Sequence, residues 1–558
     1  METKAQPAAA AAETLRRTAD YHAAVWGPRF FASIPLDESV FESYTKQVEE
    51  MKVHVKNMLI DSKVNNLETV KLINLLCRLG VSYHFESEIE NFLNQAFDSM
   101  HNLARENDVC NLDTTAILFQ VFRQFGYKMS CDVFNKFRDI NGNFKESLAN
   151  DVKGMLSLYE ASHLITHGEN ILDKALAYTS TRLLKFVESE CESPLAKHIA
   201  YALQQPFHKG IPRIESKQYI SFYEQDDCCN EMLLKLAKID YNLVQLFYQR
   251  ELNQLSRWYN ILDIPSNFPY ARERIAEIHM WSLGTYSEPR YSDARVILTK
   301  VITMISILDD TYDLYGTIEE LRLLTDAIDR WDIDVIDQLP EYMRFLYSSL
   351  LNVYHEFENQ LKSEGRSYAV SYAKYAMKEV SRAYHLEAEW FHTGIVPTFD
   401  EYLENGLLSS SYHAILSGSF LGMGEIAGVD AFEWLKSNPK MVRATMTIGR
   451  LMNDIVSHKD EQNRGDAASG VEVYMKKYGT SESVAVKYIE KKVADAWKDV
   501  NEGLMMRPNN MSMHLLMAVV NLSRTSHFFY KFGDKYTDSI SSKDYVKALF
   551  VDQIPLNA

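Results

Sequence analysis

The chain has 558 residues, of which 46% are hydrophobic and 24% charged; this is the composition of an ordinary folded protein, long enough for roughly two to four domains. Its formal net charge of −17 argues against a nucleic-acid partner, which is held by a basic stripe, but does not exclude a small polyanion bridged by cations. The 14 Pro and 22 Gly are few for this length, so long uninterrupted elements are expected, and the periodicity below makes them helices.

In chain order, residues 1–14 are rich in Ala and read as a disordered leader. They lack the apolar core of a signal peptide and are too short and acidic for a transit peptide. Arg16-Arg17 follows, with Trp26 downstream, read on physics alone as an arm that docks by burying its Trp. From about 40 to 221 apolar residues recur at threes and fours, for example over 67–79, 114–125 and 154–164, the signature of amphipathic helices. No metal-like constellation occurs there, and acidic pairs such as Glu49-Glu50 read as solvated helix faces. The six cysteines form no CxxC pair and none lies beyond Cys229, which speaks against a disulfide scaffold or zinc site and fits a reducing, cytoplasmic compartment. No stretch is long and apolar enough to span a bilayer. The polar run around Tyr223-Glu-Gln-Asp-Asp-Cys-Cys marks the domain boundary, giving units at 15–228 and 229–558, with a new long helix starting near Asn230.

The second half carries the polar constellations. After the Pro-containing segment 264–269 come Arg272 and Arg274; two guanidinium forks could clamp an anion, or serve as surface ion-pair partners. Trp281 follows in an apolar run, either as core or as a π face for a cation. The apolar stretch from Val301 ends in Asp309-Asp310-Thr-Tyr-Asp313. On a helix Asp309 and Asp313 share a face, with Asp310 rotated by about 100°. Carboxylates at a helix C-terminus repel one another and the dipole, a penalty that an arriving cation removes. An all-oxygen set without Cys or His points to Mg²⁺, which shares its remaining positions with water and phosphate. Downstream, Asn453, Ser457 and Glu461 are spaced i, i+4, i+8, lining one helix face as a three-point oxygen cage, with Arg450 one turn earlier. Arg464-Gly465-Asp466 and the small residues to Gly470 read as a lid. Tyr530, Asp534 and Tyr536 close the list near the C-terminus.

These motifs, in this order, resemble those of the plant terpene synthases, and of the cytosolic sesquiterpene type among them. Asp309-Asp310-Thr-Tyr-Asp313 matches DDxxD, Asn453 to Glu461 matches (N/D)Dxx(S/T)xxxE, Arg16-Arg17 to Trp26 looks like the N-terminal RRx8W element, and Arg272-Glu-Arg274 looks like RxR. The resemblance runs from about Arg16 to the end. It implies an all-α, two-domain architecture: an N-terminal helical barrel without chemistry of its own, which agrees with the absence of DxDD there, and a C-terminal catalytic bundle. It implies three Mg²⁺ ions, with Mn²⁺ as a substitute, held by Asp309 and Asp313 with Asp310 in support, and by Asn453, Ser457 and Glu461. Arg272, Arg274 and Arg450 would contact the diphosphate of a prenyl substrate. Trp281, Tyr530 and Tyr536 would line a dry pocket, with the Ser409-Ser410-Ser411 carbonyls facing a carbocation; Asp534 and Tyr536 are candidate bases, and the protein would be a monomer. Two departures stand out: Asp466 follows Gly465 where His is frequent, and Phe529 stands where some relatives have Tyr.

The expected reaction is ionisation of farnesyl diphosphate and cyclisation to a sesquiterpene hydrocarbon or alcohol. Alternatives are a mono- or diterpene synthase using geranyl or geranylgeranyl diphosphate, and a chain-elongating prenyltransferase, which would want a second DDxxD. A non-enzymatic helical scaffold would show a fixed repeat, and none is visible.

Overall fold

The computed structural model describes residues 16–19, 21–35, 37–61, 66–106 and 110–556; the expected leader, 1–14, lies outside them. Among these residues the only extended pairings are two isolated bridges, Arg138 with Phe144 and Lys531 with Gly533, so the all-α expectation holds. The N-terminal helices are α1 (Glu38–Asp61), α2 (Asn66–Arg78), α3 (Glu86–Glu106), α4 (Leu112–Gln124), α5 (Val152–Ser162), α6 (Asn170–Ser189), α7 (Pro194–Gln204) and α8 (Pro212–Tyr223). The windows read as amphipathic fall on α2, α4 and α5, displaced by one or two residues.

The second half begins with α9 (Glu231–Leu262), α10 (Ile275–Thr285), α11 (Ser292–Asp310), α12 (Ile318–Arg330), α13 (Glu341–Lys362), α14 (Tyr368–Thr393) and α15 (Phe399–Ser409). It continues with α16 (Tyr412–Leu421), α17 (Val429–Lys436), α18 (Lys440–Arg464), α19 (Gly470–Tyr478), α20 (Glu482–Met505), α21 (Met513–Tyr530) and α22 (Ser539–Phe550). Local chemistry sets several of these ends. Asn230, the N-cap of α9, accepts from the amides of Met232 and Leu233. Thr317 and Glu320 form a reciprocal capping box on α12, and Gly465, at φ 74°, closes α18 in the left-handed conformation that Gly adopts without cost.

Two large apolar clusters divide the molecule. One is built from α1 to α5, joined by Ile220, Tyr223 and residues 233–243 of α9. The other is built from the later helices and also takes in Phe31, Ile211 and Ile214 from the first half. Helix α9 therefore belongs to both cores. Around the second core α10, α11, α14, α16, α18 and α21 pack against one another and leave a cavity between them.

Candidate active site

The cavity measures about 690 Å³, within the range of small-molecule sites. Helix α11 brings its aspartates there because the apolar run before them, from Val301 to Leu308, is wholly buried. The α-helix then widens into a π turn, Thr311–Tyr315, in which Gly316 N donates to Thr311 O at 2.9 Å, a feature frequent at functional sites. Asp309 and Asp313 both line the cavity, as their i,i+4 spacing predicts.

Asp310 does not face it. With 1% of its surface exposed, it accepts from the Arg272 amide at 2.8 Å and from Arg272 Nε at 3.2 Å. Arg272 Nη2 reaches Asp310 Oδ1 at 2.9 Å and Asp309 Oδ2 at 2.6 Å. Burial raises the Asp310 carboxyl and the Arg272 guanidinium pulls it back; the same carboxylates hold Arg272 firmly charged against its own burial. Asp313 is open to solvent through the cavity, yet the surrounding protein, and then Asp309, Glu387 and Asp466, push its carboxyl well up.

The opposite wall is α18. Asn453, Ser457 and Glu461 all line the cavity, with Ser457 Oγ donating back to Asn453 O at 2.9 Å. Burial raises the Glu461 carboxyl to about 7. Asp454, one residue off this face, is buried and accepts from Tyr402 Oη at 2.8 Å and from Gly470 N at 3.2 Å, so it fixes α18 to α15 and α19. Arg450 donates to Gly406 O at 3.0 Å and to Ser409 Oγ at 2.6 Å.

Arg274 departs from its expected role. It is 1% exposed and donates to four backbone carbonyls: Glu273 O at 2.9 Å, His22 O at 2.7 Å, Tyr536 O at 3.1 Å and Thr537 O at 2.8 Å. Its guanidinium fastens the N-terminal arm to the 536–537 segment and is not part of the cavity lining; with its donors engaged on carbonyls, it is a structural clamp here rather than a diphosphate contact.

Sequence reasoning missed Glu387 on α14, which lines the cavity between the two walls. It accepts from Ser409 Oγ at 2.6 Å and lies 3.6 Å from Arg450 Nη2. Burial raises its carboxyl, Arg450 opposes that, and Asp309 adds to it. A signal existed: Ala373, Met377, Val380 and Tyr384 mark the buried stripe of α14, and Glu387 continues that stripe at i+3 from Tyr384.

Away from the carboxylates the lining is aromatic. Trp281 stacks on Phe529 at 4.6 Å and 18°, with Tyr412 edge-on at 5.9 Å and Tyr530 tilted at 6.0 Å. Tyr536 Oη pairs with Ser306 Oγ. Asp534 lines the cavity but caps its own turn, accepting from the amides of Tyr536 and Thr537 at 2.9 and 3.1 Å. The helix break at Ser409–Ser411 is present, with Ser411 at φ 66° between α15 and α16.

The arm lies along the mouth, where Arg17 and Tyr21 join the lining. Arg16 forms a two-pronged pair with Glu320, both bonds at 2.8 Å, and sits between the rings of Tyr315 and Tyr342. Arg17 donates to Asp313 O and Gly465 O, each at 3.1 Å, and to Asp466 Oδ1 at 2.7 Å. Trp26 Nε1 donates to Lys543 O at 3.1 Å.

Among the described residues no three Asp, Glu, His or Cys side chains converge into a closed metal cage. The carboxylates stand instead on facing walls, and burial raises those of Asp313, Glu387 and Glu461. That fits Mg²⁺, which takes one or two carboxylates per ion and completes its octahedron with water and phosphate.

Residues 25–203 match the terpene synthase N-terminal domain, and residues 260–499 match the metal binding domain of the terpene synthase family. A chloroplastic casbene synthase of Ricinus communis is 48% identical, covering 98% of this chain and 90% of its own. A valerianol synthase of Camellia hiemalis and a hedycaryol synthase of Camellia brevistyla are each 46% identical over 98% of both chains. Isoprene synthase from grey poplar, solved with three Mg²⁺ ions and dimethylallyl-S-thiolodiphosphate, superposes with a TM-score of 0.86 at 32% identity, covering 95% of this chain and 99% of that one. Limonene synthase with 2-fluorolinalyl diphosphate gives 0.91 at 29% identity, covering 97% and 100%. With both domains matched and carboxylates standing on facing walls of one cavity, the chain belongs to the plant terpene synthase family, metal-dependent enzymes acting on prenyl diphosphates.

Proposed function

We propose that this terpene synthase ionises farnesyl diphosphate and cyclises the resulting cation to a sesquiterpene hydrocarbon or alcohol. The observation that carries this reading is the sorting of the cavity, with carboxylates and Arg272 and Arg450 at one end and a ring-lined interior at the other. Three Mg²⁺ ions, held by Asp309 and Asp313 and by Asn453, Ser457 and Glu461, would supply Lewis-acid stabilisation of the departing diphosphate. Arg272 and Arg450 place fixed positive charge where negative charge develops as the carbon–oxygen bond breaks and its electron pair leaves with diphosphate. Trp281, Tyr412 and Tyr530 exclude water and present ring faces and edges to the allylic cation. Two sesquiterpenoid-forming relatives support the farnesyl substrate. The casbene synthase relative, a diterpene-forming enzyme, makes geranylgeranyl diphosphate the second substrate to test.

The test is gas chromatography–mass spectrometry of the purified protein with geranyl, farnesyl or geranylgeranyl diphosphate, with Mg²⁺, Mn²⁺ or EDTA. A metal-dependent cyclic C15 product from the farnesyl substrate is expected. A cyclic product only from one of the other two substrates would overturn the sesquiterpene reading, and turnover in EDTA would overturn the metal assignment.

A further inference from the structure

Gly449 and Tyr412 meet in the cavity wall from helices α18 and α16. A Cβ placed on Gly449 would lie 2.1 Å from Tyr412 Cζ, 2.3 Å from Cε2 and 2.5 Å from Oη. The phenol ring thus occupies the space that any other residue at 449 would claim. Tyr412 is aimed there by the break before it. Ser411 holds φ 66°, a conformation costly for a residue with a Cβ. Tyr384 Oη, paired with Ser411 Oγ at 2.8 Å, and Ser409 O, accepting from Ser411 Oγ at 3.2 Å, keep it in place.

Packing rather than a well-formed hydrogen bond holds the ring itself, with Ser526 the hydroxyl beside it. Tyr412 is 4% exposed, and its hydroxyl is buried without a partner in hydrogen-bonding geometry. Ser526, the neighbouring hydroxyl, donates to Leu522 O at 2.8 Å. The ring is lodged by shape, between the bare backbone at Gly449 and the edge contact with Trp281. Its other exit is the cavity. A methyl at 449 therefore displaces the phenol inward, whereas truncation at 412 leaves an added recess.

We propose that the Gly449–Tyr412 pair sets the depth of the ring-lined end of the cavity and thereby the prenyl chain length that the enzyme accepts. This rests on the reading above that the cavity takes a prenyl diphosphate. Filling the slot removes room for the end of the longer chain; emptying it admits a longer one. One or two methylenes in an apolar pocket are worth one to two orders of magnitude in discrimination.

The experiment measures kcat/KM for geranyl, farnesyl and geranylgeranyl diphosphate in the wild type, Gly449→Ala, Tyr412→Ala and the double variant. Gly449→Ala is expected to raise the geranyl-to-farnesyl ratio about tenfold, and Tyr412→Ala to raise the geranylgeranyl-to-farnesyl ratio about tenfold. The double variant should regain farnesyl turnover relative to Gly449→Ala, because the ring that the methyl displaced is gone. Ratios within about twofold of wild type in both single variants would overturn the inference; Tyr412→Ala decides it alone if Gly449→Ala does not fold. A wild type inert on all three substrates would instead overturn the proposed function. Since ratios are compared, the outcome holds whichever chain length the wild type prefers.

Discussion

Asp309 and Asp310 are chain neighbours with opposite tasks. Asp310 is sealed in the wall and gives the buried Arg272 its counter-charge, whereas Asp309 faces the cavity. Removing one partner of a buried pair costs up to about 3–5 kcal/mol, and the Asp310 side also supplies the acceptor for the Arg272 amide, although Asp309 would still face the guanidinium at 2.6 Å. Asp310→Ala is therefore expected to lower the denaturant midpoint strongly, while Asp309→Ala leaves the midpoint near wild type and abolishes turnover. Equal stability losses in the two variants would refute this division. The raised carboxyls give a pH prediction. Glu461, near 7, and Asp454, near 6, lie above the usual carboxylate range, so the metal-free fold favours their protonated forms. Metal-free stability from this source is full below the unfolded pKa of about 4 and is lost as pH rises through 6 to 7. Mg²⁺ should offset that loss, so the rise in thermal midpoint on adding Mg²⁺ should grow from pH 5.5 to 8, and Glu461→Gln should flatten it.

At the scale of elements, the π turn after α11 and the Gly465 cap of α18 are two chain ends that the N-terminal arm ties together. Arg17 touches both, through Asp313 O and through Gly465 O and Asp466, and its guanidinium lies 4.6 Å over the Phe391 ring. The pair is partly exposed, so its worth is at most about 1 kcal/mol, enough to change a closed-to-open ratio roughly fivefold. Arg17→Ala should therefore leave the thermal midpoint almost unchanged while raising the share of acyclic, water-quenched alcohol in the product mixture. An unchanged product spectrum would show that the arm does not seal the cavity. This latch illustrates what sequence patterning reaches. The i, i+4, i+8 spacing of Asn453, Ser457 and Glu461 is local, and one helix enforces it, so their common face was readable. Arg17 and Asp466 are 449 positions apart, and no local period joins them. Arg274 had the right residue type and spacing, yet the carbonyls around it, from three separate segments, decided where its donors went. Glu387 was visible only as a charge on an apolar stripe, a signal whose meaning depends on what the stripe faces.

For the whole molecule, composition suggests a boundary near residue 228 but carries no sign of how the chain packs across that point. Residues 233–243 of α9 complete the first core, and the rest of that helix, from Val244, joins the second. Buried polar groups reinforce the junction. Asn501 on α20 donates to His163 O at 3.0 Å and Ile165 O at 2.9 Å, and its Oδ1 pairs with His208 Nε2 at 2.8 Å. Arg524 on α21 donates through Nε to His208 O at 2.8 Å. A rigid helix shared by two cores and a satisfied network between them leave neither half a low-cost way to unfold alone. Calorimetry of the full chain is therefore expected to show one endotherm, with intrinsic fluorescence and far-ultraviolet circular dichroism changing together. Asn501→Ala strips a partner from two carbonyls and an imidazole in a site without solvent, a loss of about 2–3 kcal/mol. If the junction is weaker than the cores it joins, that loss separates the endotherm into two; if α9 is the dominant coupling, the single endotherm moves down intact. The shared helix favours the second outcome, and a split transition in Asn501→Ala would transfer the coupling from α9 to the polar network.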